Sequence, residues 1–362
     1  MDDATRERFG IDCVIVGEAE SIIADLFHKA IKGESLPGVL QLKSHRDFNN
    51  TPPIRHGAIH GCVEITRGCG RGCRFCTPTM QKRRDVPLQR ITQETRTNVA
   101  DGSQRITLVT EDLFMYGLES SHFDPNRSAV LNLLSCVSSI RGVRSIQPAH
   151  TALAPVLCDG KMVEEAAEIL LEFSQFSHRG EAIITSATGI ETGSDRLARK
   201  FMAGKFLPFK ELKWRDLVIQ ALGVLNDNRW FPMSTLIIGM PEETERDIID
   251  SLELLDDMRG LKTFLVPILF APLHKCGLEN QSEGRLDELH DLRARFLVRA
   301  WEFNMQTWGK SFLDRRFTNA LIRALTEKLM IPFAQFLAGV FVGARLGKLM
   351  RQEIWRVRWN KS

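Results

Sequence analysis

Glu64-Ile65-Thr66-Arg67-Gly68-Cys69-Gly70-Arg71-Gly72-Cys73-Arg74-Phe75-Cys76 packs three thiols into eight residues with the spacing C-x3-C-x2-C. Three thiolates hold three irons of a [4Fe–4S] cluster and leave the fourth iron open to a substrate or cofactor. Glycines at 68, 70 and 72 suit a backbone that wraps closely round an inorganic cube, since Gly tolerates positive φ and close approach. Arg67, Arg71 and Arg74 offset the negative charge of such a centre. The rival reading is zinc, which asks for four N/S ligands, often as paired C-x2-C units, and no second pair follows here. Unrelated surface thiols are the remaining reading.

Composition points to a cytoplasmic enzyme. At 362 residues and 43% apolar the chain can bury a sizeable core. Eight cysteines, three of them clustered, fit a reducing compartment and a metal site better than a disulfide framework. The N-terminus is charged, with no apolar stretch of secretory type. A net charge of +3 announces no global nucleic-acid binder, so any basic patch is local.

Short runs rich in Val, Ile, Leu and Thr at 59–66, 105–110, 143–149, 182–187, 232–238 and 264–270 read as strands. Between them, 162–176, 214–225 and 248–258 carry apolar residues three and four apart, the helical spacing. Strands alternating with helices predict an α/β fold with a parallel sheet and right-handed crossovers. Ligands in βα barrels sit at the C-terminal ends of the strands, so further site residues are expected after later strands.

The cysteine motif, with Phe75 directly before the third Cys, resembles the signature of the radical S-adenosylmethionine (SAM) superfamily. The resemblance implies a partial (β/α)6 barrel and Cys69, Cys73 and Cys76 as ligands of a [4Fe–4S] cluster. It also implies SAM chelated to the open iron and cleaved to methionine and a 5′-deoxyadenosyl radical. Thr110-Glu111-Asp112-Leu113-Phe114-Met115-Tyr116-Gly117, after the second strand, is similar to the Gln-Asp…Tyr-Gly segment of methylthiotransferases. There Glu111 and Asp112 would pair with the SAM ammonium, or simply cap a helix. Tyr116, the only tyrosine, reads as a packed loop aromatic. Gly189-Ile190-Glu191-Thr192-Gly193-Ser194-Asp195-Arg196-Leu197 resembles the family's G-x-E-[ST]-G-S-[DE]-R run. The resemblance assigns SAM ribose and carboxylate binding to Gly189, Glu191 and Ser194; capping of the next helix by Ser194 or Asp195 is the alternative. Leu236-Ile237-Ile238-Gly239-Met240-Pro241-Glu242-Glu243-Thr244 resembles the G-x-P-x-E-T turn, where backbone groups of Ile237 and Ile238 would read adenine. A purely structural turn serves equally well.

The ends of the chain resemble the cobalamin-linked branch. Asp12-Cys13-Val14-Ile15-Val16-Gly17-Glu18-Ala19-Glu20 reads as one strand followed by a helix, like the last part of a Rossmann-like B12 domain. On this reading residues 1–48 are a remnant of that domain with linker, 49–275 the core barrel, and 276–362 a helical C-terminal extension. The residues present cannot hold a corrin alone, so on this reading the sequence is truncated, is completed by a separate B12-binding chain, or belongs to a protein that works without cobalamin. A long amphipathic helix is expected over 285–303. Residues 329–344 are uncharged but too short and interrupted for a membrane span. The basic tail with Trp355 and Trp359 suits anionic lipid heads, RNA less so, or packing on the barrel. That tail makes a peripheral membrane location an option.

Cys13, Cys62, Cys136, Cys158 and Cys276 read as ordinary thiols, and His150 as a satisfied or solvent-facing imidazole. The expected function is a radical SAM enzyme, served by a ferredoxin- or flavodoxin-type reductant. It would modify an unactivated carbon of a hydrophobic substrate, a membrane lipid among the candidates, by methylation, cyclisation or C–C bond formation. The alternatives are a tRNA or protein methylthiotransferase, and an Fe–S electron-transfer or sensing protein without enzymatic activity.

Overall fold

The computed structural model describes residues 3–42, 48, 51–78, 81–118, 123–284 and 291–316. The chain opens with α1 (Asp3–Arg8), β1 (Val14–Val16), α2 (Ile23–Ile31) and β2 (Val39–Gln41). β1 and β2 pair in parallel, Val14 opposite Val39, so α2 is the crossover of a βαβ unit. The strand expected over 12–20 stops at Val16 because Gly17 turns the chain at φ 120°, where a Cβ would stand 2.6 Å from the Leu42 carbonyl. The turn delivers Glu20 to Arg67 at 2.6 Å and brings Glu18 onto Arg84, so the N-terminal unit is ion-paired to the base of the cysteine loop. Phe48 lies beneath the same group, 5.2 Å from the Arg67 guanidinium and 5.4 Å from that of Arg84.

The core continues through β3 (Cys62–Glu64), β4 (Thr66–Arg67), β5 (Arg84–Asp85), α3 (Leu88–Ala100), β6 (Arg105–Val109), α4 (Arg127–Ser138), β7 (Ser145–Pro148), α5 (Leu153–Cys158) and α6 (Gly160–Glu172). After it come β8 (Phe176–His178), β9 (Glu181–Ile183), β10 (Ala187–Glu191), α7 (Asp195–Met202), α8 (Trp214–Asp227), β11 (Met233–Ile238), α9 (Glu245–Asp257), β12 (Phe264–Leu269) and α10 (Asp291–Arg316). Parallel strands run β3-β6-β7 and β10-β11-β12, joined by a parallel bridge between His150 and Ala187. The result is a mixed α/β partial barrel of six parallel strands.

Three further elements depart from the sequence reading. The first strand is not continuous over 59–66: His60 and Gly61 are left-handed, and Thr66 and Arg67 leave the parallel sheet to pair antiparallel with Asp85 and Arg84. The fourth parallel strand is 187–191, not 182–187. Residues 181–183 instead close an antiparallel hairpin with 176–178, because Arg179 and Gly180 both adopt the positive φ a tight turn needs. The helix expected over 162–176 ends at Glu172 so that Phe176 can enter that hairpin. Residues 285–290, where the last helix was expected to begin, and 329–344 with the basic tail lie outside the described residues. No described helix is long and apolar enough to cross a membrane.

The strands bury one face under the helices. Val63, Leu108, Ile146, Leu236 and Leu265 are almost wholly buried against α3, α4, α6, α8 and α9. Each such side chain contributes about 1.5–3 kcal/mol. The open edge at β12 is capped by α10: Asn304 both donates to and accepts from the Leu265 backbone at 2.7 Å, in place of a neighbouring strand.

α7 and α9 share a polar staple at their N-termini. Thr244 and Asp247 form a reciprocal capping box on α9, while Asp247 also accepts from Ser194 Oγ and from Arg196, each at 2.5 Å. Burial alone would raise the Asp247 carboxyl, but the bonds from Arg196, Ser194 and Thr244 outweigh it and hold it well below the usual carboxylate range. A depressed folded-state value contributes stability that is present above the unfolded value, about 3.9, and is lost as pH falls through the lower folded value. Asp247→Asn is therefore expected to lower unfolding free energy at pH 7, with the gap to the parent closing as pH falls below about 3.9. Denaturant unfolding across an acid series measures it; a gap that persists unchanged in acid would contradict this account.

Candidate active site

The cysteine loop leaves β4 and returns through β5, so the antiparallel pair at its base fixes both ends. Gly68, Gly70 and Gly72 adopt φ of 78°, 76° and 74°, the left-handed region that lets the chain wind inward at alternate residues. The Cys69 amide donates to the Pro78 carbonyl at 3.2 Å, and the Arg74 amide to Phe201 at 2.8 Å. Cys73 is buried and Cys69 and Cys76 half-buried. Burial pushes the Cys69 thiol up and that of Cys73 to about 11, with Arg71 opposing at Cys69 and Lys205 at Cys73. Binding a metal centre would therefore displace thiol protons. Among the described residues no three His, Cys, Asp or Glu side chains gather as ligands of one metal ion. Thiolates that each bind a different iron of a cube stand farther apart than ligands sharing one ion. One glycine-wound loop carrying three thiols, with the buried Arg71 and the half-buried Lys205 beside it, fits a [4Fe–4S] cluster.

The strand-end residues divide by what they already hold. Asp112, after β6, is fully engaged: Oδ2 accepts from Arg71 and Oδ1 from the Ala152 amide, both at 3.1 Å. The Glu111 carboxylate beside it has no hydrogen bond among the described residues, and burial, then the charge of Glu64, raises it. Of the two, Glu111 is the acid left available to an ammonium. Ser194 caps α7 through the Leu197 amide and donates to Asp247, which is the capping alternative of the sequence reading. Ile238 is buried, whereas Ile237 is half-buried in an apolar group with Phe75, Phe201, Met240, Phe270 and Cys276. Phe75 packs against both this group and the main core.

Glu191 ends β10 at φ 68°, a conformation non-glycine residues rarely adopt. It accepts from Lys205 Nζ at 2.8 Å and from Thr235 Oγ1 at 3.1 Å. Gly189 makes room for this pair, since a Cβ there would lie 2.1 Å from Glu191 Oε1 and 2.3 Å from Lys205 Nζ. Lys205 also donates to the Gly189 carbonyl at 2.8 Å. Burial would lower its ammonium, yet Glu191 and then Cys73 hold it raised, so a cation stands beside the thiols. Lys205 is the residue sequence reasoning missed, because a single Lys-Phe pair after a helix carries no signal of its own. His150, at the end of β7, is neither satisfied nor solvent-facing at Nδ1, which is buried without a partner. Burial, then Lys205, lowers its ring to about 4 and keeps it neutral. Tyr116 is a packed loop aromatic, its hydroxyl donating to Val86 at 2.9 Å.

The inward face of the half-barrel has two unlike walls. Glu64, Thr107 and Gln147 lie on the β3, β6 and β7 side, opposite the helix-facing Val63, Leu108 and Pro148. Across the barrel, β11 and β12 align Met233 with Phe264, Thr235 with Val266 and Ile237 with Ile268. Met233 and Ile268 remain 43% and 44% exposed on this side, while Leu236 and Leu265 on the other are buried.

Residues 63–255, more than half of the chain, match the model of the radical SAM superfamily. The tRNA-2-methylthio-N(6)-dimethylallyladenosine synthase of Tropheryma whipplei is 26% identical over 323 residues, covering 78% of this chain and 62% of its own length. That of Paenarthrobacter aurescens is 26% identical over 230 residues, covering 62% of this chain and 40% of its own. The chain thus spans less than two thirds of these relatives. In fold it is similar to the radical SAM methyltransferase TsrM from Kitasatospora setae, solved with tryptophan and a SAM analogue (TM-score 0.53, 13% identity, 76% of this chain and 54% of that one). It is also similar to the cobalamin-dependent SAM radical enzyme OxsB, solved with aqua-cobalamin and SAM (TM-score 0.50, 14% identity, 84% and 42%). With a matching model over the barrel and three thiols on a loop built for a cluster, the chain belongs to the radical SAM superfamily, whose cofactors are a [4Fe–4S] cluster and SAM.

Proposed function

We propose that this protein is an enzyme that uses SAM to modify an unactivated carbon of a hydrophobic substrate, by methylation, cyclisation or C–C bond formation. The observation that supports the substrate class is the apolar stretch of Met233, Phe264, Val266 and Ile268 on the inward face of β11 and β12. When bound, the cluster and SAM supply a one-electron cleavage that yields a carbon-centred radical. The chain's own residues do the rest: Cys69, Cys73 and Cys76 hold the cluster and Phe75 shields its edge. Glu111 takes the SAM ammonium, the Glu191–Lys205 pair presents a carboxylate and an ammonium to the ribose and carboxylate, and Ile237 lines the adenine side. A ferredoxin- or flavodoxin-type protein supplies the electron, and a lipid surface is the candidate source of substrate.

A second reading is methylthiotransferase, favoured by the sequence similarity to the tRNA-modifying synthases. Iron counting separates the two: one cluster per chain supports the first, two the second. The central experiment is anaerobic reconstitution with iron and sulfide, reduction with dithionite, and chromatography for 5′-deoxyadenosine. The parent is expected to form it, and Cys69→Ala, Cys73→Ala and Cys76→Ala to form none above background. A fully loaded parent that releases no 5′-deoxyadenosine, with or without methylcobalamin, would sink the proposal.

A further inference from the structure

The geometry points to Arg71 and Asp112 as a positioning pair that clamps the cluster loop to two neighbouring loops and sets the charge beside Cys69. Arg71 lies between the first two ligand cysteines, and the two side chains are only 3% and 4% exposed. Its guanidinium spans three segments. It donates to Asp112 Oδ2 at 3.1 Å and to the Gly204 carbonyl at 3.0 Å, and stands 4.8 Å from the Phe123 ring centroid. Asp112 is held in turn by the Ala152 amide and by its own amide's bond to Thr110 Oγ1 at 3.0 Å. The loop bearing Cys69 and Cys73 is thereby fastened to the turn after β6 and to the turn after α7.

A buried ion pair is a poor stability device, since apolar side chains of similar volume do as well or better. What it does supply is charge at a defined place in low dielectric. Arg71 lies two residues from both Cys69 and Cys73, so its guanidinium and the Asp112 carboxylate paired with it at 3.1 Å place two opposite buried charges beside the cluster loop. Hydrogen bonds and charge around the sulfurs tune the reduction potential of an iron–sulfur cluster. The two members of the pair therefore act on the cluster in opposite directions.

The test uses the full chain, reconstituted, with iron counted per chain and the cluster's midpoint potential read by spectroscopically monitored titration. Asp112→Asn, which keeps the side chain's shape, is expected to hold a cluster and shift the midpoint upward. Arg71→Met is expected to shift it downward and to bind less iron. Arg71→Lys should keep a near-parent midpoint, with weaker iron retention because the contacts to Gly204 and Asp112 come from two separate nitrogens of the guanidinium fork, a spacing a single ammonium does not reproduce. The double variant should return toward the parent's potential. A midpoint unchanged in Asp112→Asn, or shifted in the same direction by both single substitutions, would overturn the assignment, whatever becomes of SAM cleavage.

Discussion

Lys205→Met is expected to lower the stability of the iron-free protein by about 3–5 kcal/mol and, in the reconstituted protein, to cut 5′-deoxyadenosine formation by at least about a hundredfold. The first effect follows from what the substitution strands. Glu191 Oε1 would lose its cation while its backbone remains left-handed and its side chain 9% exposed, leaving the Thr235 hydroxyl as its remaining side-chain partner. An uncompensated buried charge costs far more than the pair itself contributes. The second effect follows from position, because Lys205 fixes a positive charge next to Cys73 and 5.9 Å from the Phe75 ring centroid. Lys205→Arg keeps the charge, but a planar fork does not replace a point donor to both Gly189 and Glu191. It should recover part of the stability and little of the product. Chemical denaturation before iron loading, then product chromatography after it, measures the two effects separately. Parent-like values in both would show that Lys205 is a bystander.

Gly204→Ala is expected to cost more than the usual 1–3 kcal/mol of an overpacked core, because the obstacle is main chain rather than a side chain. A Cβ at 204 would stand 1.8 Å from the Arg71 carbonyl oxygen and 2.7 Å from its carbonyl carbon. Either the turn after α7 or the cysteine loop must move, and the loop is tied down at Cys69 and Arg74 by backbone bonds. The variant should keep the helical far-UV spectrum, lose bound iron and sulfide together, and form no 5′-deoxyadenosine. Gly223→Ala is the matched control. Gly223 lies within α8 and a Cβ there would meet nothing within 4 Å, so the same change is expected to stabilise by about 0.4–1 kcal/mol. Equal iron content in the two variants would remove the close contact between Gly204 and Arg71 from the account of the site.

The sequence alone determined the chemistry of the cysteine loop, the alternation of strand and helix, and the side of the barrel on which to look. Those are local properties: thiol spacing within eight residues, positive-φ glycines at 68, 70 and 72, and apolar periods of two or three to four. The extents of β6, β11 and β12 were legible to within a residue for the same reason, their runs being unbroken between turn residues. The strand at 187–191 was not, because Ile183 and Ile184 look as strand-like as Ile190, and only the Arg179-Gly180 turn decides which run joins the parallel sheet.

Only the tertiary structure decided which polar groups were free to act. Glu111 and Asp112 are adjacent and chemically alike, yet Asp112 is taken by Arg71 across 41 residues and Glu111 is not. Ser194 sits inside a family-like run but spends its hydroxyl on Asp247, 53 residues away. Lys205 became part of the site because the turn after α7 folds back under β10 and brings it to Glu191. Desolvation is the physical reason for all three: whether a charged or polar side chain stays available depends on the partner that burial obliges it to find, and that partner comes from a distant part of the chain.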